Sequence, residues 1–226
     1  MTRPYTKRAF SLGVVLLAAG RSTRMGKPKL LLPWGNTSVL GHLIKQWKAL
    51  GAKQIAVVCA PDDGAMRVEL DRFGFPAQDR IINPAPDRGM FSSIQCAAQW
   101  SGWQAALTHW AIVLGDQPHL EQQTLRRVLD FSAAHPASVC QPAQLGRGRH
   151  PVLLPNSVFR RVATTTAATL KEFLAASQRK VVLCELDDPG LDLDIDYPAD
   201  YHSALQRAGL APRGETSVES ATNHRE

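Results

Sequence analysis

Short apolar runs rich in β-branched residues alternate along this sequence with segments of helical periodicity, an order that leaves room for few folds other than a mostly parallel α/β sheet. The first run, residues 13–17 (Gly-Val-Val-Leu-Leu), carries no charged position and reads as a strand buried on both faces. Leu40, Leu43, Ile44, Trp47 and Leu50 then recur at three- and four-residue spacing, with Thr37 and Ser38 placed to cap a helix and Gly51 placed to end it. The alternation continues as a strand over 54–59, a helix over 63–73, a short strand at 80–82, a helix over 91–100, a strand at 110–114 and a helix over 121–134. Right-handed crossovers between parallel strands follow from that order.

After Pro136 the pattern changes. Short strands at 138–141 and 152–154 flank Gly146-Arg147-Gly148-Arg149, which reads as a flexible lid or edge region. A helix over 167–176, a strand over 180–185, an acidic stretch at 187–196 and a helix from Pro198 follow. The 226 residues suit one large α/β domain at 13–208, preceded by a basic extension at 1–12 and followed by a polar, disordered tail at 209–226.

Composition narrows the classes further. At 44% hydrophobic and 20% charged residues the chain can bury a sizeable core. A net charge of +6 suits ligands rich in phosphate as well as nucleic acid, but no basic run is interleaved with aromatics, so no nucleic-acid partner is expected. Arg3, Lys7 and Arg8 followed by the apolar stretch 9–20 imitate a secretory signal, yet the would-be cleavage site falls where a phosphate loop makes better chemical sense. No apolar run approaches the roughly 18 residues of a membrane span, so no membrane partner is expected. Cys59, Cys96, Cys140 and Cys184 form no C-x-x-C pair, which fits buried thiols in a reducing compartment. The expectation is a soluble, cytoplasmic monomer.

The strongest chemical signal is Leu17-Ala18-Ala19-Gly20-Arg21-Ser22-Thr23-Arg24-Met25-Gly26-Lys27-Pro28-Lys29, directly after the first strand. Small residues let the backbone approach a ligand, successive N–H groups form an anion nest, and Arg24, Lys27 and Lys29 add positive charge, which together suit a triphosphate. Gly20 and Gly26 are six apart where a Walker A loop needs five, and Pro28 stands where Ser or Thr would hold the metal. The dinucleotide fingerprint G-x-G-x-x-G is missing too.

A second signal, Gly115-Asp116-Gln117-Pro118, ends the strand at 110–114, where open parallel sheets place their ligand crevice. Mg²⁺ takes one or two carboxylates plus phosphate oxygens and water, so Asp116 needs a partner rather than a cage. Asp192-Leu193-Asp194-Ile195-Asp196 offers one, with alternate carboxylates expected on one side of an extended segment.

On these motifs, together with Leu30-Leu31-Leu32-Pro33-Trp34, Asn83-Pro84, Gly89-Met90-Phe91-Ser92-Ser93, His150-Pro151, Asp194-Ile195-Asp196, Pro198 and Asp200, the chain resembles the MobA/MocA-like nucleotidyltransferases over about residues 13 to 205, and among them most nearly the molybdenum cofactor cytidylyltransferases. The resemblance implies a Rossmann-like three-layer sandwich with a mostly parallel central sheet, of the nucleotide-diphospho-sugar transferase type. It implies that Leu17, Ala18, Ala19, Gly20, Arg24, Gly26, Lys29, Asn83, Ser92 and Gly115 bind the nucleotide, and that Asp116, Asp194 and Asp196 hold Mg²⁺. Arg24, Lys29 and Asp116 carry the chemistry, with His150 and Gln117 on the acceptor side. The pair Ala18-Ala19, where guanylyl-transferring relatives tend to carry a glycine, favours CTP over GTP. Arg149, where the family tends to have glycine, and Tyr197, where a small threonine is usual, depart from the pattern and bear on the lid and on the metal site.

The implied reaction joins CMP from CTP to the terminal phosphate of molybdopterin, with release of pyrophosphate. A phosphomonoester has a second pKa near about 6 and is largely ionised at neutral pH, so neither a strong base nor a nucleophilic side chain is needed. The rivals are a guanylyl or a sugar- or alditol-phosphate nucleotidyltransferase, and a non-catalytic molybdenum cofactor carrier or insertion chaperone. A transferase of this kind would also make transient contact with a molybdoenzyme or its chaperone.

Overall fold

A computed structural model describes residues 10–177 and 180–210. The positives Arg3, Lys7 and Arg8 and the tail beyond 210 lie outside the described residues.

The chain starts with β1 (Leu12–Leu17), followed after the loop by the small hairpin β2 (Pro33–Trp34) and β3 (Thr37–Ser38) and then α1 (Val39–Ala49). Ser38 caps α1 by accepting the Gly41 N–H at 3.1 Å, a contact that satisfies one of the helix's orphan donors. Next come β4 (Gln54–Cys59), α2 (Gly64–Arg72) capped by Asp63, β5 (Arg80–Ile82), α3 (Met90–Gln99), β6 (His109–Leu114) and α4 (Gln122–Ala134). The second half holds β7 (Val139–Gln144), β8 (Arg147–Gly148), β9 (Val152–Pro155), α5 (Asn156–Val162), α6 (Leu170–Ala176), β10 (Val181–Glu185) and α7 (Pro198–Arg207). Among the described residues no helix is long and apolar enough to cross a membrane.

One sheet runs in the order β10-β7-β9-β6-β1-β4-β5, with β8 paired to β7. β5, β4, β1 and β6 are mutually parallel, as are β7 and β10, and β9 is antiparallel to both of its neighbours. The period-two alternation of strand side chains sorts the core into two layers. Val14, Leu16, Val57 and Val113 meet α1, α2, α4 and α7 on one face. Val15, Val58, Ile112 and Leu154 meet α3, α5 and α6 on the other. This is the three-layer α/β arrangement that the alternating pattern leads to.

The lid or edge expected after Pro136 is corrected in part by the sheet. β9 lies inside it with all four of its residues buried, so the strand at 152–155 is no edge, whereas β8 is exposed and pairs only with β7. The Gly146-Arg147-Gly148-Arg149 stretch is the return of a hairpin, turned at Leu145 and Gly146 with φ of 51° and 74°. The seven-residue helix α5 behind it was not expected from the sequence, because so short a segment shows barely two turns of periodicity.

Candidate active site

β1 and β6 are neighbours in register, Leu17 beside Leu114, so the loops leaving their carboxyl ends emerge side by side. That adjacency brings residues 18–29 next to Gly115 and Asp116. The acidic segment reaches the same place through a main-chain bond from the Ile195 N–H to the Asp116 carbonyl, 3.0 Å. The resulting cleft is lined by Leu17, Ala18, Gly20, Ser22, Thr23, Arg24, Lys29, Leu30, Gly115, Asp116 and Asp196.

The loop is shaped by two left-handed residues, Ser22 at φ 49° and Gly26 at φ 64°. Ser22 accepts the Lys29 N–H on its hydroxyl at 3.1 Å and the Met25 N–H on its carbonyl at 3.1 Å, folding the loop back on itself. Among the described residues the N–H groups of residues 19–24 find no acceptor. A tight run of unengaged N–H groups beside two cations has the makings of an anion cradle. Gly115 closes the cleft floor: a Cβ there would stand 2.8 Å from Leu30 Cδ2 and 3.2 Å from the Leu17 carbonyl oxygen.

Four charged groups meet in the cleft. Lys29 Nζ lies 2.6 Å from Asp196 Oδ1 and 3.5 Å from Asp116 Oδ2, and Arg24 reaches Asp196 Oδ2 at 2.6 Å. Burial pushes the Asp116 carboxyl above its ordinary range, with Lys29 opposing the rise and Asp194 and Asp196 adding to it. Asp116 Oδ1 is enclosed and has no hydrogen-bond partner. The hydrogen bond from Lys29 holds Asp196 below its ordinary range.

Several expected residues take other positions. Asp194 is turned to Gln117, whose amide donates to its Oδ1 at 2.9 Å, and among the described residues no group of three or more His, Cys, Asp or Glu side chains is placed to hold a metal ion. Asp192 belongs to a 3-10 turn (Pro189–Asp192) rather than to an extended segment, so it diverges from Asp194 and Asp196 and pairs with Arg149. Gln117, expected on the acceptor side, is 5% exposed and serves Asp194 instead. Asn83 is 1% exposed, with its amide nitrogen donating to Ser92 Oγ and Ser93 Oγ and its oxygen accepting the Ala85 N–H. Asn83 and Ser92 therefore brace the 83–93 loop, and their polar atoms are engaged within it. Gly26 donates its N–H to Thr23 and stands outside the cleft lining, so it shapes the loop. Ala18 packs into the core as well as lining the cleft, and Ala19 is buried without joining the lining.

His150 is pressed by burial to a pKa of about 4, and its Nε2 is enclosed without a partner. Tyr197 exposes its ring, and its N–H joins that of Asp196 on the Asp200 carboxylate, so the start of α7 keeps its cap whatever side chain stands at 197. Ser22 and Thr23 line the cleft without having been singled out in the sequence. A serine amid glycine and basic residues was the available signal, and its left-handed backbone was not legible.

A family model described as MobA-like NTP transferase domain matches residues 14–181. The molybdenum cofactor cytidylyltransferase of Escherichia coli is 25% identical over 87% of this chain and 97% of its own length. The molybdenum cofactor guanylyltransferase of Mesorhizobium japonicum is 29% identical over 88% of this chain and 86% of its own. The bifunctional protein GlmU of Pseudomonas fluorescens is 34% identical over 53% of this chain, which spans only 25% of that protein. Among solved structures, Rv0371c of Mycobacterium tuberculosis superposes with a TM-score of 0.72 at 27% identity, covering 88% of this chain and 98% of that one. A manganese complex of the same protein superposes at 0.67 with 26% identity, over 87% of this chain and 98% of that one.

Proposed function

The chain belongs to the MobA-like NTP transferase family and is a nucleotidyltransferase, and from that premise we propose that it serves molybdenum cofactor biosynthesis by joining CMP from CTP to the terminal phosphate of molybdopterin. The observation that carries the reading is the cleft itself: unengaged N–H groups over residues 19–24, two cations at Arg24 and Lys29, and two carboxylates at Asp116 and Asp196. The Escherichia coli relative favours the cytidylyl assignment, and the Mesorhizobium relative, slightly more similar, keeps the guanylyl form as the second reading.

An oxygen of the acceptor phosphate attacks the α-phosphorus, the bond to the β-phosphate breaks, and pyrophosphate carries away the charge. The acceptor is already ionised, so the protein's work is alignment and neutralisation. The N–H groups of residues 19–24 cradle the phosphates. Lys29 and Arg24 offset charge that grows on the pentacoordinate phosphorus and on the leaving pyrophosphate. Gly115 leaves the floor low enough for close approach.

The residues also fit a divalent cation, which we take to be Mg²⁺. Asp116 Oδ1 is a buried carboxylate oxygen with no donor, and a second carboxylate stands across Lys29 at Asp196. These two residues would hold the ion, and Asp194 is engaged by the Gln117 amide. When bound, the ion supplies Lewis-acid charge to the phosphate oxygens.

The test is pyrophosphate release from CTP, GTP, ATP and UTP with purified molybdopterin and Mg²⁺, run beside thermal unfolding with each nucleotide. Saturation at about a hundred times the dissociation constant adds about 2.7 kcal/mol of stability, several degrees for a chain of this size. CTP-selective release supports the reading. GTP-selective release moves it to the guanylyl form, and release only with a sugar or alditol phosphate as acceptor overturns the molybdopterin assignment.

A further inference from the structure

Asp196 holds both cations assigned to the triphosphate. Its Oδ1 accepts from Lys29 Nζ and its Oδ2 from Arg24 NH1, each at 2.6 Å. Lys29, Arg24, Asp116 and Asp196 then sum to no net charge, and a polyanion arriving alone meets a carboxylate already seated on the groups meant for it. Resting on the nucleotide-binding reading above, we infer that Asp196 withholds Lys29 and Arg24 from the triphosphate until a divalent cation engages its carboxylate, so that this one side chain couples cation binding to nucleotide capture.

The geometry supports a side-chain exchange rather than a loop movement. The backbone around Asp196 is fixed on both sides, by the Ile195 N–H on the Asp116 carbonyl and by the Asp196 N–H on the Asp200 carboxylate. The side chain between these anchors is held by Lys29 and Arg24, the two contacts that the exchange breaks. Lys29 is not stranded when Asp196 leaves, because Asp116 Oδ2 remains 3.5 Å away. The two contacts differ in weight: the Lys29 side chain is 16% exposed and that of Arg24 63%, so the Lys29 contact is the less screened by water and the harder to displace. Asp116 does not duplicate the role, since it contacts Lys29 only at the longer distance and leaves its buried Oδ1 without a partner.

Thermodynamic linkage makes the inference measurable, because a residue that competes with one ligand and binds the other sets the coupling between them. The full chain would be titrated calorimetrically with CTP and with inorganic tripolyphosphate, in EDTA and in Mn²⁺, as wild type and as Asp196→Asn. Asn keeps the size of the side chain and removes its charge. Both probes are expected to bind the variant about tenfold more tightly than wild type in EDTA, the scale of one charge-assisted contact released, and the gain from Mn²⁺ is expected to shrink. Asp196→Ser, checked by circular dichroism, repeats the comparison if Asn disturbs the fold. Metal-free binding that is unchanged or weaker in folded variants overturns the inference and leaves the nucleotide reading intact. Wild type that binds neither probe even with Mn²⁺ overturns both.

Discussion

The Ile195 N–H and the Asp116 carbonyl, 3.0 Å apart, join the acidic segment to the end of β6. The carboxylates on either side of that point go to different partners, Asp194 to the Gln117 amide and Asp196 to Lys29 and Arg24. The proposed metal-binding edge is thus assembled from two chain segments that are remote in sequence, and its geometry rests on groups outside the cleft lining.

Gln117 is the clearest of these. Gln117→Leu keeps the buried volume and removes the donor, leaving Asp194 free to rotate. The expected outcome is a fall in kcat of about tenfold, in line with outer-shell partners of metal sites, with the acceptor KM nearly unchanged. Steady-state kinetics with each substrate varied in turn would decide it. A selective rise in acceptor KM would return Gln117 to the acceptor side and discard the positioning role.

Lys29→Met tests the charge that faces both carboxylates. Loss of a preorganised charge at a reacting phosphate is expected to lower turnover by about 10²–10³-fold. Circular dichroism is expected to show an intact fold, since Arg24 still meets Asp196. Wild-type rates of pyrophosphate release would remove Lys29 from the chemistry.

Gly115→Ala places a methyl against Leu30 and the Leu17 carbonyl. Leu30 can give way, but the backbone oxygen of β1 cannot, so the variant is expected to lose about 1–3 kcal/mol of stability, as overpacked sites do. Urea unfolding at neutral pH measures it. A stability equal to wild type would mean that the cleft floor relaxes more easily than its contacts suggest.

Much of this was legible before any coordinates. The buried strand at 13–17, the small and basic residues after it, and Asp116 at a strand end are local signals, and parallel pairing of β1 with β6 places them together. The interior position of β9 was not legible, because strand order depends on pairings between distant segments, and Val152–Pro155 carries no mark of which neighbours it takes. The inward turn of Gln117 and Asn83 was hidden for a related reason. A polar side chain in a loop reads as available to a ligand until its buried partners, Asp194 or Ser92 and Ser93, are known. Asp192 misled because the expected extended backbone is a 3-10 turn there, which sends its carboxylate toward Arg149.

Ala19→Gly tests the proposed preference for CTP. Ala18 packs in a core cluster that Ala19 does not join, so of the two alanines Ala19 is the one whose methyl can be removed at the smaller cost in core packing. Ala19 is buried outside the cleft lining, so Ala19→Gly is expected to raise the ratio of GTP to CTP turnover by no more than about tenfold, at or below the low end of what one methyl in a pocket contributes. Competition between the two nucleotides in one reaction reads the ratio directly. No change would take Ala19 out of base selection.

His150 sets a pH dependence whose sign follows from its burial. Its folded-state pKa is about 4, depressed from an ordinary 6.5. Above pH 6.5 neither state is protonated there and the contribution is fully present. As pH falls below 6.5 the unfolded chain takes up a proton that the folded chain refuses, and the contribution is lost progressively until about pH 4. At 1.36 kcal/mol per pH unit the loss is on the order of 3 kcal/mol. His42, His109 and His119 are also lowered by burial and act in the same direction, whereas Asp116, raised by burial, acts in the opposite one. Comparison with His150→Gln cancels those shared contributions. Urea unfolding of both proteins between pH 7 and 4.5 is expected to show a shallower loss of stability in the variant. Parallel profiles would mean that His150 is protonated as readily in the folded chain as in the unfolded one, and that its enclosed Nε2 is open to water in solution.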